Sequence, residues 1–213
     1  MKKILMLFVV LTAACSAFAE FDYFAQVAAF SGGQIPTGRN RTIYGARLSL
    51  IHGDLHRLYG LDLGFSGRVR ERMCGLQIAW GFNHANWVAG AELGIVNWVE
   101  SEFAGFQLGF WNRGANGAGM QLGAANMADA FAGFQCGIVN WADDLAGFQC
   151  GGWNHATDGA GMQLGIVNTA DSFAGFQCGV LNWATDLDGF QLGLVNVIEN
   201  QRFYVLPIAN IGF

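Results

Sequence analysis

The side chains of this sequence that could do chemistry fall on a lattice. Gln107, Gln121, Gln135, Gln149, Gln163, Gln177 and Gln191 recur every fourteen residues, and an asparagine follows each by five: Asn112, Asn126, Asn140, Asn154, Asn168, Asn182 and Asn196. Amides neither ionise nor attack, but each donates and accepts hydrogen bonds at once. A regular row of them suits a hydrogen-bond ladder inside a sheet, or a polar lining that could hold sugars.

The ionisable and nucleophilic residues form no comparable pattern. His52 and His56 flank Asp54 at i, i+4 spacing, which on a helix could ligate a metal; Gly53-Asp54 between two apolar runs reads instead as a turn. Cys136, Cys150 and Cys178 stand at one repeat position where other units carry Leu108, Leu122, Leu164 and Leu192, so they read as small buried hydrophobes. With Cys74 they form no CxxC pair and lie apart from His84 and His155, so no zinc site is expected. Beyond residue 19 the chain has five serines, no G-x-S-x-G and no serine, histidine and acid grouping; Asp143-Asp144 belongs to a solvated turn. No catalytic residue, metal or cofactor is expected.

Composition narrows the classes further. Charged residues make up 13% of the chain, about half the ordinary share. Both lysines, Lys2 and Lys3, are N-terminal, which removes a P-loop lysine and a Schiff-base lysine from the rest of the chain. A net charge of −5 with so few basic groups argues against nucleic acid, whose phosphates must be neutralised.

Residues 1–19 read as a secretory signal: basic Met1-Lys2-Lys3, apolar Ile4 to Ala14, and Ala17-Phe18-Ala19 before Glu20. The apolar stretch is short of the roughly twenty residues of a membrane-spanning helix. The alternative is a lipoprotein signal at Cys15, although Thr12-Ala13-Ala14-Cys15 lacks the usual leucine. Residues 20–57 then supply N-terminal strands, 58–200 the tandem units of fourteen to fifteen residues, and 201–213 a closing strand.

Each unit has an apolar, glycine-spaced stretch of about ten residues and a polar tip, as in Ala142-Asp143-Asp144 or Thr157-Asp158-Gly159. Glycine at two fixed sites would cripple a helix, and the Phe, Val, Ile and Trp content fits strands. Alternation puts Phe148 and Cys150 on one face and Gln149 and Gly151 on the other, and a bulge after the second glycine would return the asparagine to the glutamine side.

Two all-β architectures compete for this pattern. The leading one is an antiparallel up-and-down transmembrane barrel of about twelve strands, its apolar face to lipid, its amides toward the lumen, and Phe213 closing the chain as a membrane-insertion signal. Its rival is a β-solenoid of stacked 14-residue coils with Gln and Asn ladders. Trp111 to Gly152 and Trp153 to Leu194 match as blocks of three units, an odd number that would reverse every strand copied in a barrel. The scarcity of charge counts against a soluble solenoid surface, and the barrel is the expectation.

At these residues the chain resembles a family of bacterial surface-repeat proteins built from tandem G-x-Q-x-G-x-x-N segments. The likeness extends to Tyr44-Gly45-Ala46-Arg47-Leu48-Ser49-Leu50, Tyr59-Gly60-Leu61-Asp62-Leu63-Gly64 and Leu206-Pro207-Ile208-Ala209-Asn210. It implies export to the envelope of a Gram-negative cell and carries no established activity. The functional expectation is a non-enzymatic protein of structural or interaction type, in the outer membrane or at the cell surface, with outer-membrane lipid and barrel-assembly machinery as partners. The alternative is a passive outer-membrane pore with a Gln/Asn-lined lumen.

Overall fold

The computed structural model of the protein describes residues 23–30, 33–35, 41–202 and 205–213. The signal segment 1–19, Cys15 included, lies outside them. The described elements are all strands: β1 (Tyr23–Phe30), β2 (Gly33–Ile35), β3 (Thr42–Ser49), β4 (Gly53–Leu108), β5 (Trp111–Leu122), β6 (Ala125–Ile198) and β7 (Val205–Gly212).

The strands do not run up and down. β3 pairs with the start of β4 in parallel, Thr42 with Arg57 through Ser49 with Gly64, at a constant offset of one repeat. A chain that returns parallel to itself after one repeat is winding, and the protein is a β-solenoid of stacked coils. The transmembrane barrel is thereby corrected. Its size match was genuine, since a tilted membrane strand plus a short turn also takes about fourteen residues, but a repeat length does not specify which way the next repeat runs.

Two compact units are delimited, Met1–Ala118 and Gly119–Phe213. In the first, the corner glycines Gly45, Gly60, Gly75, Gly90 and Gly105 are fifteen apart; in the second, Gly119, Gly133, Gly147, Gly161, Gly175 and Gly189 are fourteen apart. Each has φ between +128° and +151°, where an L side chain is strained. Each is also crowded: a Cβ on Gly147 would stand 2.1 Å from the carbonyl oxygen of Gly133. The glycine turns the corner and lets consecutive coils close on each other.

In the second unit four columns fill the interior: the Gln residues, the Asn residues, Ala128, Ala142, Ala156, Ala170 and Ala184, and a column of Phe131, Leu145, Phe173 and Leu187, all buried. Gly159 falls in that last column between Leu145 and Phe173, and the Phe173 ring takes the room a side chain would need, with Cδ2 2.5 Å from its Cβ position. The alternation read from the sequence therefore partitions the faces correctly, the amide and glycine face pointing inward and the Phe, Leu and Cys face outward. An interior half made of amides is stable because every coil offers the next an identical partner at the strand spacing of about 4.8 Å.

Both termini of the solenoid are covered. β7 runs antiparallel along the last coil, from Gly189 opposite Gly212 to Val197 opposite Val205, with a register slip between Gly193 and Asn196. β1 joins β3 in parallel, and β2 folds back antiparallel on β1. A bare terminal coil would otherwise present unpaired N–H and C=O groups to another chain.

Candidate functional site

The two amide columns carry almost all of the interior polarity. From Asn126 to Asn182 each asparagine Nδ2 donates forward twice: Asn140 to the Cys150 carbonyl oxygen at 2.9 Å and to Asn154 Oδ1 at 2.8 Å, Asn154 to the Leu164 carbonyl at 2.8 Å and to Asn168 Oδ1 at 2.8 Å. Glutamine donates backward, Gln149 to Gln135 at 2.8 Å, Gln163 to Gln149 at 2.9 Å and Gln191 to Gln177 at 2.8 Å. Several glutamines spend their second N–H on a main-chain carbonyl six residues on, as Gln149 does at His155. The columns have opposite polarity, so their amide dipoles oppose one another. Buried amides must be paired to avoid a desolvation cost of about 1–3 kcal/mol each. These are buried and paired with one another.

In the first unit the glutamine column begins with charge. Arg47, Asp62, Gln77, Glu92 and Gln107 are the successive members, and Arg47, Asp62, Gln77 and Glu92 are all buried. Arg47 Nε donates to Asp62 Oδ1 at 2.8 Å and its second guanidinium nitrogen to Oδ2. Gln77 Nε2 donates to Asp62 Oδ2 at 2.9 Å and Gln107 Nε2 to Glu92 Oε2 at 2.7 Å. Gly67 makes room for this cluster, because its Cβ position lies 2.5 Å from both Asp62 Oδ2 and Gln77 Nε2. Sequence reading by repeats found the phase of Asp62, Gln77 and Glu92 but missed the pairing with Arg47, which precedes the regular units; the fifteen-residue interval from Arg47 to Asp62 was the available signal.

The other candidates disperse. His52 Nδ1 lies 3.1 Å from Ser66 Oγ, His56 Nε2 3.2 Å from Glu71, and Asp54 is held by Arg70 at 2.8 Å, so the three do not converge. His84 meets Glu100 at 2.7 Å, and the His155 ring lies tilted against Trp141 with centroids 4.0 Å apart. Cys74 is buried, but Cys136, Cys150 and Cys178 are half-buried on the outward face, a correction that follows from the inward glutamine beside each. Cys136, Cys150 and Cys178 are free thiols. Phe213 stands one residue beyond β7 and is almost fully exposed, and its insertion role belonged to the barrel reading.

What the outer surface does offer is an apolar row three residues after the inward glutamine. In the second unit Ile138, Ile166, Val180 and Leu194 are 49–70% exposed. Phe134 stacks on Phe148 at 5.1 Å and Phe176 on Phe190 at 5.8 Å alongside it. Asp143, Asp144, Asp171 and Ser172 are exposed at the corner after the asparagine. Comparison with protein-family models, with curated proteins and with solved structures returns no match.

Proposed function

We propose that the protein is a non-enzymatic, exported repeat protein of the bacterial cell envelope, held at the outer membrane or cell surface, whose outer solenoid face is its working part. The observation that carries this reading is the division of labour between faces. The repeated polar side chains are consumed in internal ladders, while a row of aliphatic side chains, broken at Gly152, recurs on the outside. Contiguous exposed apolar surface of that kind commonly marks a contact with protein or lipid. The signal-like residues 1–19 and the resemblance to surface-repeat proteins support the address. Outer-membrane lipid remains a proposed contact, whereas barrel-assembly machinery has no barrel to insert.

The test is fractionation of the expressed protein, followed by extraction with salt, alkali and detergent in turn. A peripheral solenoid is expected in the envelope fraction and released without detergent. Replacing Ile138, Ile166 and Val180 together by serine should then move it to the soluble fraction. Recovery of the unaltered protein in the cytosol with residues 1–19 intact would sink the reading.

A further inference from the structure

The backward glutamine column is interrupted once inside the first unit. Gln107 donates to Glu92, and Gln77 donates to Asp62, but between Glu92 and Gln77 no donor is available. The two oxygens that the missing bond would join, Gln77 Oε1 and Glu92 Oε1, are both buried and both lack a partner. Two other partnerless oxygens lie where the polarity of the columns requires them. Asn83 Oδ1 starts the forward asparagine column and Gln191 Oε1 ends the backward glutamine column. Only the Gln77–Glu92 step lies between two members that are bonded on their far sides.

We propose that Glu92 is carried as the neutral acid, its Oε1 hydroxyl donating to Gln77 Oε1, so that the first unit's column is closed by one proton and opens when alkaline pH removes it. One hydrogen then satisfies both orphan oxygens, and every member from Gln107 back to Gln77 donates in the same direction, the last of them to Asp62. Ionised, Glu92 would place a carboxylate against the Gln77 carbonyl oxygen with the Gln107 amide as its one donor.

No charge nearby favours the ionised form. The preceding coil presents Gln77 and, beyond it, Asp62 already paired with Arg47; the following coil presents Gln107. Val88, Asn97 and Phe103, buried on the same two coils, are uncharged. Other ionisable groups of these coils engage partners elsewhere: Arg72 over the Trp87 ring, Glu102 with the Trp87 indole N–H, His84 with Glu100. Burial raises the carboxyl from an ordinary 4.5 to about 7, offset in part by the Gln107 hydrogen bond.

A folded-state value above the unfolded one means that the acid binds its proton more tightly when folded. Its stabilising contribution is complete below about pH 4.5, declines as pH rises through about 7, and is gone above that. The folding equilibrium should weaken by up to roughly 300-fold across that window.

The informative variant is Glu92→Gln, because glutamine supplies the missing Nε2–H to Gln77 and keeps the acceptor for Gln107. Chemical denaturation of both proteins from about pH 5 to about pH 9 should give a profile that falls through neutrality for the unaltered chain and lacks that fall in E92Q, the variant being the more stable at the alkaline end. Parallel profiles would overturn the proposal. Infrared difference spectroscopy of the unaltered protein with isotope-labelled glutamate gives a second reading that does not depend on E92Q folding. A protonated carboxyl band at about pH 5.5 that disappears above about pH 8 supports the bridge, and a carboxylate band throughout rejects it.

Discussion

At the scale of single residues, the corner glycines and the outward cysteines behave in ways their types alone do not announce. Gly147 has φ +150° and its Cβ position meets the Gly133 carbonyl oxygen at 2.1 Å, whereas Gly152 occupies the outer row where neighbouring coils carry Ile138 and Ile166. Gly147→Ala is expected to cost about 2 kcal/mol or more, from backbone strain and the contact together. Gly152→Ala should cost less, since its Cβ position stands 2.9 Å from the Ile138 carbonyl oxygen and its backbone is outside the left-handed region, and thermal denaturation of the pair measures the difference. Cys136 and Cys150 occupy one position on consecutive coils, fixed by the Gln149–Gln135 bond and the stacked Phe134 and Phe148 rings on either side. Coil spacing of about 4.8 Å lies inside the Cα window for a disulfide but exceeds the usual Cβ separation of about 3.8 Å. Burial, with the neighbouring Cys150 thiol, holds the Cys136 thiol above its ordinary pKa. Treatment with a small disulfide should therefore link Cys136 to Cys150 slowly and reversibly. Cys178, separated from Cys150 by a coil bearing Leu164, should stay unlinked; a mass map showing a Cys150–Cys178 peptide as the main product would contradict the coil register.

At the scale of elements, the ladders explain why one asparagine should matter more than its neighbours. Asn154 Nδ2 serves both the Leu164 carbonyl and Asn168 Oδ1, and its own Oδ1 accepts from Asn140. Asn154→Ala deletes all three bonds and leaves the other partners buried, an expected loss of about 2–4 kcal/mol. Asn200→Ala, which removes an exposed bond to Asp186, should change stability by under about 0.5 kcal/mol. Amide hydrogen exchange would show the Asn154 defect first in the coils on either side of it, as nearest-neighbour coupling requires. The end of the ladder is handled less completely: Gln191 Oε1 and Asn210 Nδ2, an acceptor and a donor on residues paired across β6 and β7, are both buried without partners.

For the molecule as a whole, stacking makes length modular. Removing residues 147–160 deletes one fourteen-residue coil, joins Ala146 to Gly161, and leaves Leu145 followed by Phe173 in the apolar column. The shortened chain is expected to fold, with stability reduced by about one coil's share and an unchanged β spectrum by circular dichroism. Removing only residues 147–153 puts every later glutamine out of phase and should abolish cooperative unfolding. An antiparallel barrel would respond in another way, because loss of any single strand inverts all that follow. Charge is also divided unevenly: the second unit holds eight acidic residues and one arginine, Arg202, while the ion pairs Arg47–Asp62, Arg57–Glu71 and Arg70–Asp54 all belong to the first. Salt should accordingly stabilise the second unit more than the first, by screening like charges.

The sequence alone determined the period, the strand content and the partition of faces, since Gln149 and Cys150 are adjacent in a β-strand and must point to opposite sides. The ladder was legible too, because identical amides at a fixed interval have each other as the simplest partner. Direction was not legible: a fourteen-residue repeat is compatible with a strand that returns antiparallel or with a coil that returns parallel, and only the register of Thr42 on Arg57 and its neighbours decided it. That the inward amides pack solid against one another was equally undecided, because amides are poor core residues singly and good ones when stacked, and stacking is a property of the assembled coils. The same holds for Glu92. In sequence it is one looser copy of a glutamine position, and its environment exists only once Gln77 and Gln107 close over it and exclude the water that would otherwise keep it ionised.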